Sequence, residues 1–125
     1  MRKLNVLTVD DDFVNLKLIE VMLKKNIEIN EIIKAKNGLE ALNVLDERKD
    51  IDIILLDIVM PIMNGLEFLD HLQVREEASI PVIVLTTDET AKREAFNRGA
   101  YDFLTKPIFE KDLTQKIQDA IAMLD

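Results

Sequence analysis

Two rhythms of apolar residues alternate along the chain. Short runs rich in β-branched residues have the length and composition of strands. Stretches with an apolar residue every three or four positions have the period of amphipathic helices. The first strand is predicted at Leu4–Val9, apolar at positions 4, 6, 7 and 9, and it runs into Asp10, Asp11 and Asp12. From Phe13 to Lys25 the period changes. Val14, Leu18, Val21 and Met22 recur at helical spacing as the predicted core face, with Lys17, Glu20 and Lys24 between them. Asp12 is placed as the N-cap of that helix. A second strand is expected at Ile32–Ala35. After the Asn37-Gly38 turn signal, Leu39, Ala41, Leu42 and Leu45 mark a helix that ends in the charged segment Asp46–Asp50. Ile53–Leu56 is apolar throughout, the pattern of a strand buried on both faces. It delivers Asp57, then the loop signals Met60-Pro61 and Asn64-Gly65. Leu66, Phe68, Leu69 and Leu72 form a third helix closing near Glu76-Glu77. Pro81 opens the strand Val82–Leu85, which ends in Thr86-Thr87. Asp88–Arg98 is a charged helix with a thin stripe of Ala91, Ala95 and Phe96, closed by Gly99 as its C′ residue. Ala100–Leu104 is the fifth strand, ending in Thr105-Lys106-Pro107. Leu113, Ile117, Ala120, Ile121 and Leu124 line the last helix.

Five strands and five helices in strict alternation, with short connections, imply a parallel sheet covered by helices on both faces. Right-handed crossovers leave few topologies for such a chain. The expected fold is therefore α/β, a flavodoxin-like (βα)5 doubly wound sheet with strand order 2-1-3-4-5. Its switch point lies between strands 1 and 3. These are the two strands that end in aspartate.

Composition narrows the function. The 125 residues fit one domain, 1–125, with no output domain visible, and the length is enough for a core without staples. There is no cysteine, which excludes thiol chemistry and disulfides, and with a single histidine a zinc site is not expected. No apolar run reaches the roughly 18 residues a membrane helix needs, and no signal-peptide pattern opens the chain. A cytoplasmic location with no membrane association is expected. The net charge of −8 argues against direct nucleic-acid binding through a basic face. It also suggests carboxylates gathered where a cation could relieve them.

The topology gathers them at one edge. Strand 1 brings Asp10 and Asp11 to the C-terminal edge of the sheet, strand 3 brings Asp57, strand 4 Thr86 and strand 5 Lys106. Converging carboxylates repel unless neutralised, and a hard divalent ion with oxygen ligands, Mg2+ above all, does this. Asp57 could then attack a phosphoryl group as a nucleophile. Lys106 would place a point charge on the phosphoryl oxygens and Thr86 a hydroxyl donor. The Lys106–Pro107 bond is a candidate for the cis form. Other residues read as structural: Asp12 as a cap, Thr87 as a turn residue, His71 as a solvated side chain, Met60 and Met63 as gap-fillers.

The segments V-D-D-D at 9–12, L-L-D-I-V-M-P-I-M-N-G at 55–65, V-L-T-T at 84–87, G-A-Y-D-F at 99–103 and T-K-P-I at 105–108 together span the chain. In order and spacing they resemble the receiver domain of bacterial response regulators in two-component signalling. The resemblance implies that Asp57 is the phospho-acceptor, that Asp11 ligates the metal directly and Asp10 through water, and that the Val59 carbonyl completes the protein ligands. Thr86 and Phe103 would be the switch pair and Lys106 the phosphoryl-binding lysine. The implied cofactor is Mg2+, with Mn2+ as an alternative ion. The implied phosphodonor is a histidine kinase or histidine phosphotransfer protein. A downstream effector protein would bind helix 4, strand 5 and helix 5, where Lys92, Arg93, Tyr101, Asp102 and Lys111 are candidate contacts. The domain would be a monomer or a phosphorylation-dependent homodimer. It would catalyse only its own phosphorylation and dephosphorylation, and so not be an enzyme in its own right.

Alternatives are a stand-alone receiver against one excised from a longer regulator, a small-molecule aspartyl-phosphate phosphatase, a flavin carrier, and a receiver that has lost phosphorylation. The phosphatase reading lacks a second aspartate two residues past the nucleophile, where Val59 stands, and a cap domain. The flavin reading lacks a phosphate loop after strand 1. Loss of phosphorylation conflicts with the presence of every key residue. Phe103 has no hydroxyl, so it can move inward but cannot hydrogen-bond in either state. Tyr101, two residues earlier, is expected on the same side of the strand. Val59 and Asp88 are expected to tune phosphorylated lifetime, because Val59 cannot orient an attacking water and Asp88 could do so or repel hydroxide.

Overall fold

The computed structural model describes residues 3–124; Met1, Arg2, Asp125 and the side chain of Leu124 lie outside the description. Five parallel strands form one sheet in the order β2-β1-β3-β4-β5, as the alternation predicts. They are β1 Leu4–Val9, β2 Ile29–Ala35, β3 Ile53–Leu56, β4 Val82–Thr86 and β5 Asp102–Thr105. The helices are α1 Phe13–Asn26, α2 Gly38–Glu47, α3 Gly65–Gln73, α4 Lys92–Asn97 and α5 Glu110–Leu124. Helices α1 and α5 cover one face with Ile19, Leu23, Leu113, Ile117 and Ala120. Helices α2, α3 and α4 cover the other with Ala41, Leu42, Leu45, Phe68, Leu69, Leu72 and Ala95. Alternate residues of β3 supply both layers, Ile53 and Leu55 to one and Ile54 and Leu56 to the other. A strand covered on both faces therefore has to be apolar throughout.

Several boundaries differ from the sequence reading, each for a local reason. Strand β2 begins three residues earlier, because Ile29 pairs with Leu4 along the sheet edge, where polar Asn30 and Glu31 face solvent. Helix α3 stops at Gln73, and a 3-10 turn at Glu76–Ser79 follows it. The fourth helical segment is a 3-10 turn at Glu89–Ala91 followed by α4. Strand β5 starts at Asp102, because Ala100 still belongs to the helix end. The Gly99 N–H bonds the Phe96 carbonyl and the Ala100 N–H the Ala95 carbonyl, with Gly99 at φ 101°. That is a Schellman closure, as the glycine predicts. Tyr101 precedes the strand and is exposed, while Phe103 is buried, so the two do not share an environment.

The larger correction concerns α1. The sheet buries Leu16, Ile19 and Leu23 and leaves Val14, Leu18 and Val21 exposed, the reverse of the expected face, with Met22 half-buried. Leu39 of α2 and Phe96 of α4 also point outward. The remaining predicted positions of α2, α3 and α5 whose side chains are described are buried or partly buried, as expected.

Candidate functional site

Parallel register sets the site. Val9 lies opposite Leu56, so the next residues, Asp10 and Asp57, leave the sheet side by side. Thr86 lies opposite Thr105, so Lys106 leaves β5 next to the end of β4, and its N–H donates to the Thr86 carbonyl at 2.8 Å. Carboxylate oxygens of Asp10, Asp11 and Asp57 lie within 4.8 Å of one another. Lys106 reaches across, its Nζ 3.0 Å from Asp10 Oδ2 and 3.6 Å from Asp57 Oδ2. All the predicted acidic and basic members are thus brought together, and the Lys106–Pro107 bond is cis. Thr86 is fully buried at the same edge, and Phe103 is buried in the core layer that also holds Ala91, Ala95 and Ala100.

Backbone groups hold the carboxylates in place. Asp57 Oδ1 accepts the Ile58 N–H at 2.8 Å, and Asp10 Oδ1 accepts the Asp12 N–H at 2.9 Å. Asp12 turns away to cap α1, its Oδ1 accepting the Val14 N–H at 2.9 Å. Gly65 packs against the backbone of Asp57 and Ile58. A Cβ there would stand 2.4 Å from the Asp57 carbonyl oxygen, so no other residue fits without moving the loop. Asn64 caps α3 reciprocally with Glu67, which fixes that approach.

Electrostatics mark Asp57 as a strained carboxylate. It is 8% exposed, and burial pushes its carboxyl above the ordinary aspartate range. The Lys106 charge and the Ile58 N–H pull it down, while Asp10 and Asp11 push it further up. Three carboxylates against one ammonium leave an excess of two negative charges. An all-oxygen donor set with that excess fits a hard divalent cation and no soft one. Beside it lies a largely apolar cavity of about 190 Å³ between α1 and the β5–α5 loop, lined by Leu16, Ile19, Leu55, Leu85 and Ile108.

The sequence matches the family model of the response regulator receiver domain over residues 6–118. The chain belongs to the response regulator receiver domain family. Among relatives of this receiver domain, PilH of Pseudomonas aeruginosa is 37% identical over 120 residues, covering 94% of this chain and 97% of PilH. Two-component response regulator ARR11 of Arabidopsis thaliana is 42% identical over 88% of this chain, which spans only 21% of that protein. The receiver domain of a sensor histidine kinase from Pseudomonas aeruginosa, solved with a magnesium ion in its active-site cleft, superposes with a TM-score of 0.84. It is 26% identical, with 97% of this chain and 99% of that chain covered.

Near the receiver site stands Ile62, a residue that the sequence did not flag. Ile62 has φ 68°, and the Met63 N–H closes a three-residue turn onto the Pro61 carbonyl at 2.7 Å. A β-branched residue is a genuine outlier there. Its side chain is 77% exposed, and Val59, Phe13, Val14 and Phe109 are exposed around the same edge. Asp88 uses its carboxylate locally, accepting the Thr90 N–H at 3.1 Å and the Thr90 hydroxyl. No sequence motif announces a positive φ at Ile62. The Asp88-x-Thr90 spacing, by contrast, is a readable turn-capping signal.

Proposed function

We propose that this receiver domain is a phosphorylation-switched module of a two-component phosphorelay, with Asp57 as its acceptor. The observation that carries the reading is the convergence of three carboxylates, Lys106 and buried Thr86 on one sheet edge. An Asp57 carboxylate oxygen bonds to phosphorus as the phosphorus–nitrogen bond of a phosphohistidine breaks. The electron pair stays on the imidazole, which takes up a proton. Asp10, Asp11, Asp57 and the Val59 carbonyl would hold Mg2+, or Mn2+ in its place, consistent with the donor set and with the magnesium-bound relative. Bound metal supplies positive charge to the phosphoryl oxygens. Lys106 shifts from Asp10 toward those oxygens, and Thr86 donates its hydroxyl. In the return step water attacks phosphorus, the acyl oxygen–phosphorus bond breaks, and inorganic phosphate leaves. The domain acts on itself rather than as an enzyme on other substrates, in the cytoplasm, through protein contacts and without nucleic acid.

The phosphodonor, a histidine kinase or phosphotransfer protein, fits the exposed stripe of α1. Val14, Leu18 and Val21 run down from the acidic loop, flanked by Lys17, Lys24 and Lys25, with Phe109 and Ile62 beside the cleft. An exposed apolar stripe with basic edges suits an amphipathic helix bearing acidic flanks. Leu18→Asp should slow transfer from the cognate histidine protein and leave phosphorylation by acetyl phosphate unchanged. The effector would take the α4–β5–α5 face, where Lys92, Arg93, Tyr101 and Lys111 are exposed and Asp102 is paired with Lys116 at 3.1 Å.

Incubation with acetyl phosphate, with and without Mg2+, should give an acid-stable, base-labile phosphoryl adduct by intact mass only with the metal. Asp57→Asn should give none; no adduct on the native chain, or an equal adduct on the variant, sinks the assignment. Val59 is 65% exposed and offers no side-chain hydrogen bond to a water. Val59→Asn should shorten the phosphorylated lifetime severalfold, measured by phosphate release, and an unchanged or longer lifetime refutes that role.

A further inference from the structure

Thr86 is fully buried, and its hydroxyl oxygen accepts the backbone N–H of Asp88 at 3.3 Å. The Asp88 carboxylate closes the same loop through the Thr90 N–H and hydroxyl, and the Asp88 carbonyl accepts the Ala91 N–H at 3.2 Å. One residue therefore ties the Thr86 hydroxyl to the turn that begins the fourth helical segment. That segment is thinly attached. Only Ala91 and Ala95 of it are buried, so little packing opposes its movement. Its far end is held firmly: Arg98 Nη1 lies 2.7 Å from Asp70 Oδ2 and 3.4 Å from the Leu66 carbonyl of α3, and the Schellman closure at Gly99 follows.

We infer that Asp88 is a positioning residue that sets the resting place of the Thr86 hydroxyl and the N-terminal end of α4 together. The inference rests on Asp57 being the phosphoryl acceptor. When Thr86 turns its hydroxyl to a phosphoryl oxygen, the Asp88 N–H loses its acceptor. The loop closed by the Asp88 carboxylate then has to reopen, and α4 swings from its anchored end at Arg98. The carboxylate thus favours the unphosphorylated arrangement, and its action on the site passes through Thr86 rather than through contact with the phosphoryl group.

The test is the affinity of the full chain for beryllofluoride with Mg2+, a non-transferable mimic of the phosphoryl group, followed by amide NMR. Asp88→Ala should bind about fivefold tighter, the scale of one lost cap. Asp88→Asn keeps an oxygen that can accept from Thr90 and removes the charge, so it should bind as the native chain does. Thr90→Val, which deletes one of the two donors, should fall between them. Unchanged affinity in Asp88→Ala overturns the inference. So does equal tightening in Asp88→Asn, which would mean that only the negative charge mattered. A native chain that binds no beryllofluoride and gives no acetyl phosphate adduct refutes the Asp57 assignment instead, so the two failures are separable.

Discussion

Asp57 and Glu77 are buried to nearly the same extent, 8% and 7% exposed, at opposite edges of one sheet. Their surroundings treat them in opposite ways. Burial pushes both carboxyls up. For Glu77 the hydrogen bond from Arg75 at 2.8 Å, with the charges of Arg75 and Lys49, outweighs burial and leaves it below its ordinary range. Arg75 also pairs with Asp46, Lys49 reaches Glu76 and Glu77, and Arg48 pairs with Glu31 and Asp50. At the edge of Asp57, one lysine is shared between two carboxylates with a third nearby, and Asp57 stays above its ordinary range. A carboxylate that only joins elements is matched by partners of its own chain. A carboxylate left short of positive charge is arranged for charge that arrives from outside.

The contrast can be broken by mutation. The largest effect is expected at Glu77, where Glu77→Ala removes the shared acceptor of Arg75 and Lys49 and should cost about 2 kcal/mol in urea unfolding. A neutral result would mean that the pairs at that edge contribute nothing net. Asp57→Asn should move the other way, raising the Tm of the metal-free protein by a few degrees at neutral pH. The pH dependences should also oppose each other. The folded state binds the Asp57 proton more tightly than the unfolded chain does. Stability therefore declines as pH rises from the ordinary aspartate range through the raised folded value. The gain from Asp57→Asn should accordingly vanish below about pH 4. The Glu77 contribution is complete above the ordinary glutamate range and is lost as pH falls through its lowered folded value. Millimolar Mg2+ should raise the native Tm and leave Asp57→Asn nearly unmoved, because ligand binding to the folded state is the missing compensation. An Asp57→Asn variant less stable than the native chain at neutral pH would refute the strained-carboxylate account.

The smallest effect is expected at Ile62. Asparagine tolerates a positive φ far better than a β-branched residue. Ile62→Asn should therefore add about 1 kcal/mol of stability while weakening transfer from the histidine protein. A gain in both would remove Ile62 from the docking rim, and no gain in stability would show that the turn at Met63 carries no strain.

The sequence by itself determined the alternation of strands and helices, the parallel sheet, and the edge at which Asp10, Asp11, Asp57, Thr86 and Lys106 meet. Those follow from local pattern, because the apolar runs of strands 1, 3 and 4 end at Asp10, Asp57 and Thr86, and strand 5 ends at Thr105-Lys106. Tertiary structure alone decided which side of α1 faces the core. That helix carries apolar residues around most of its circumference, so Val14, Leu18 and Val21 and the set Leu16, Ile19 and Leu23 both satisfy the helical period. Only the seat of α1 on the sheet, beside β2 and α5, selects the second set and turns the first to solvent. The charge balance around Asp57 and Glu77 is tertiary for the same reason. Asp57 meets Lys106 and Asp10 from distant segments, Glu77 adds distant Lys49 to Arg75 two residues away, and sequence spacing does not specify how many cations arrive.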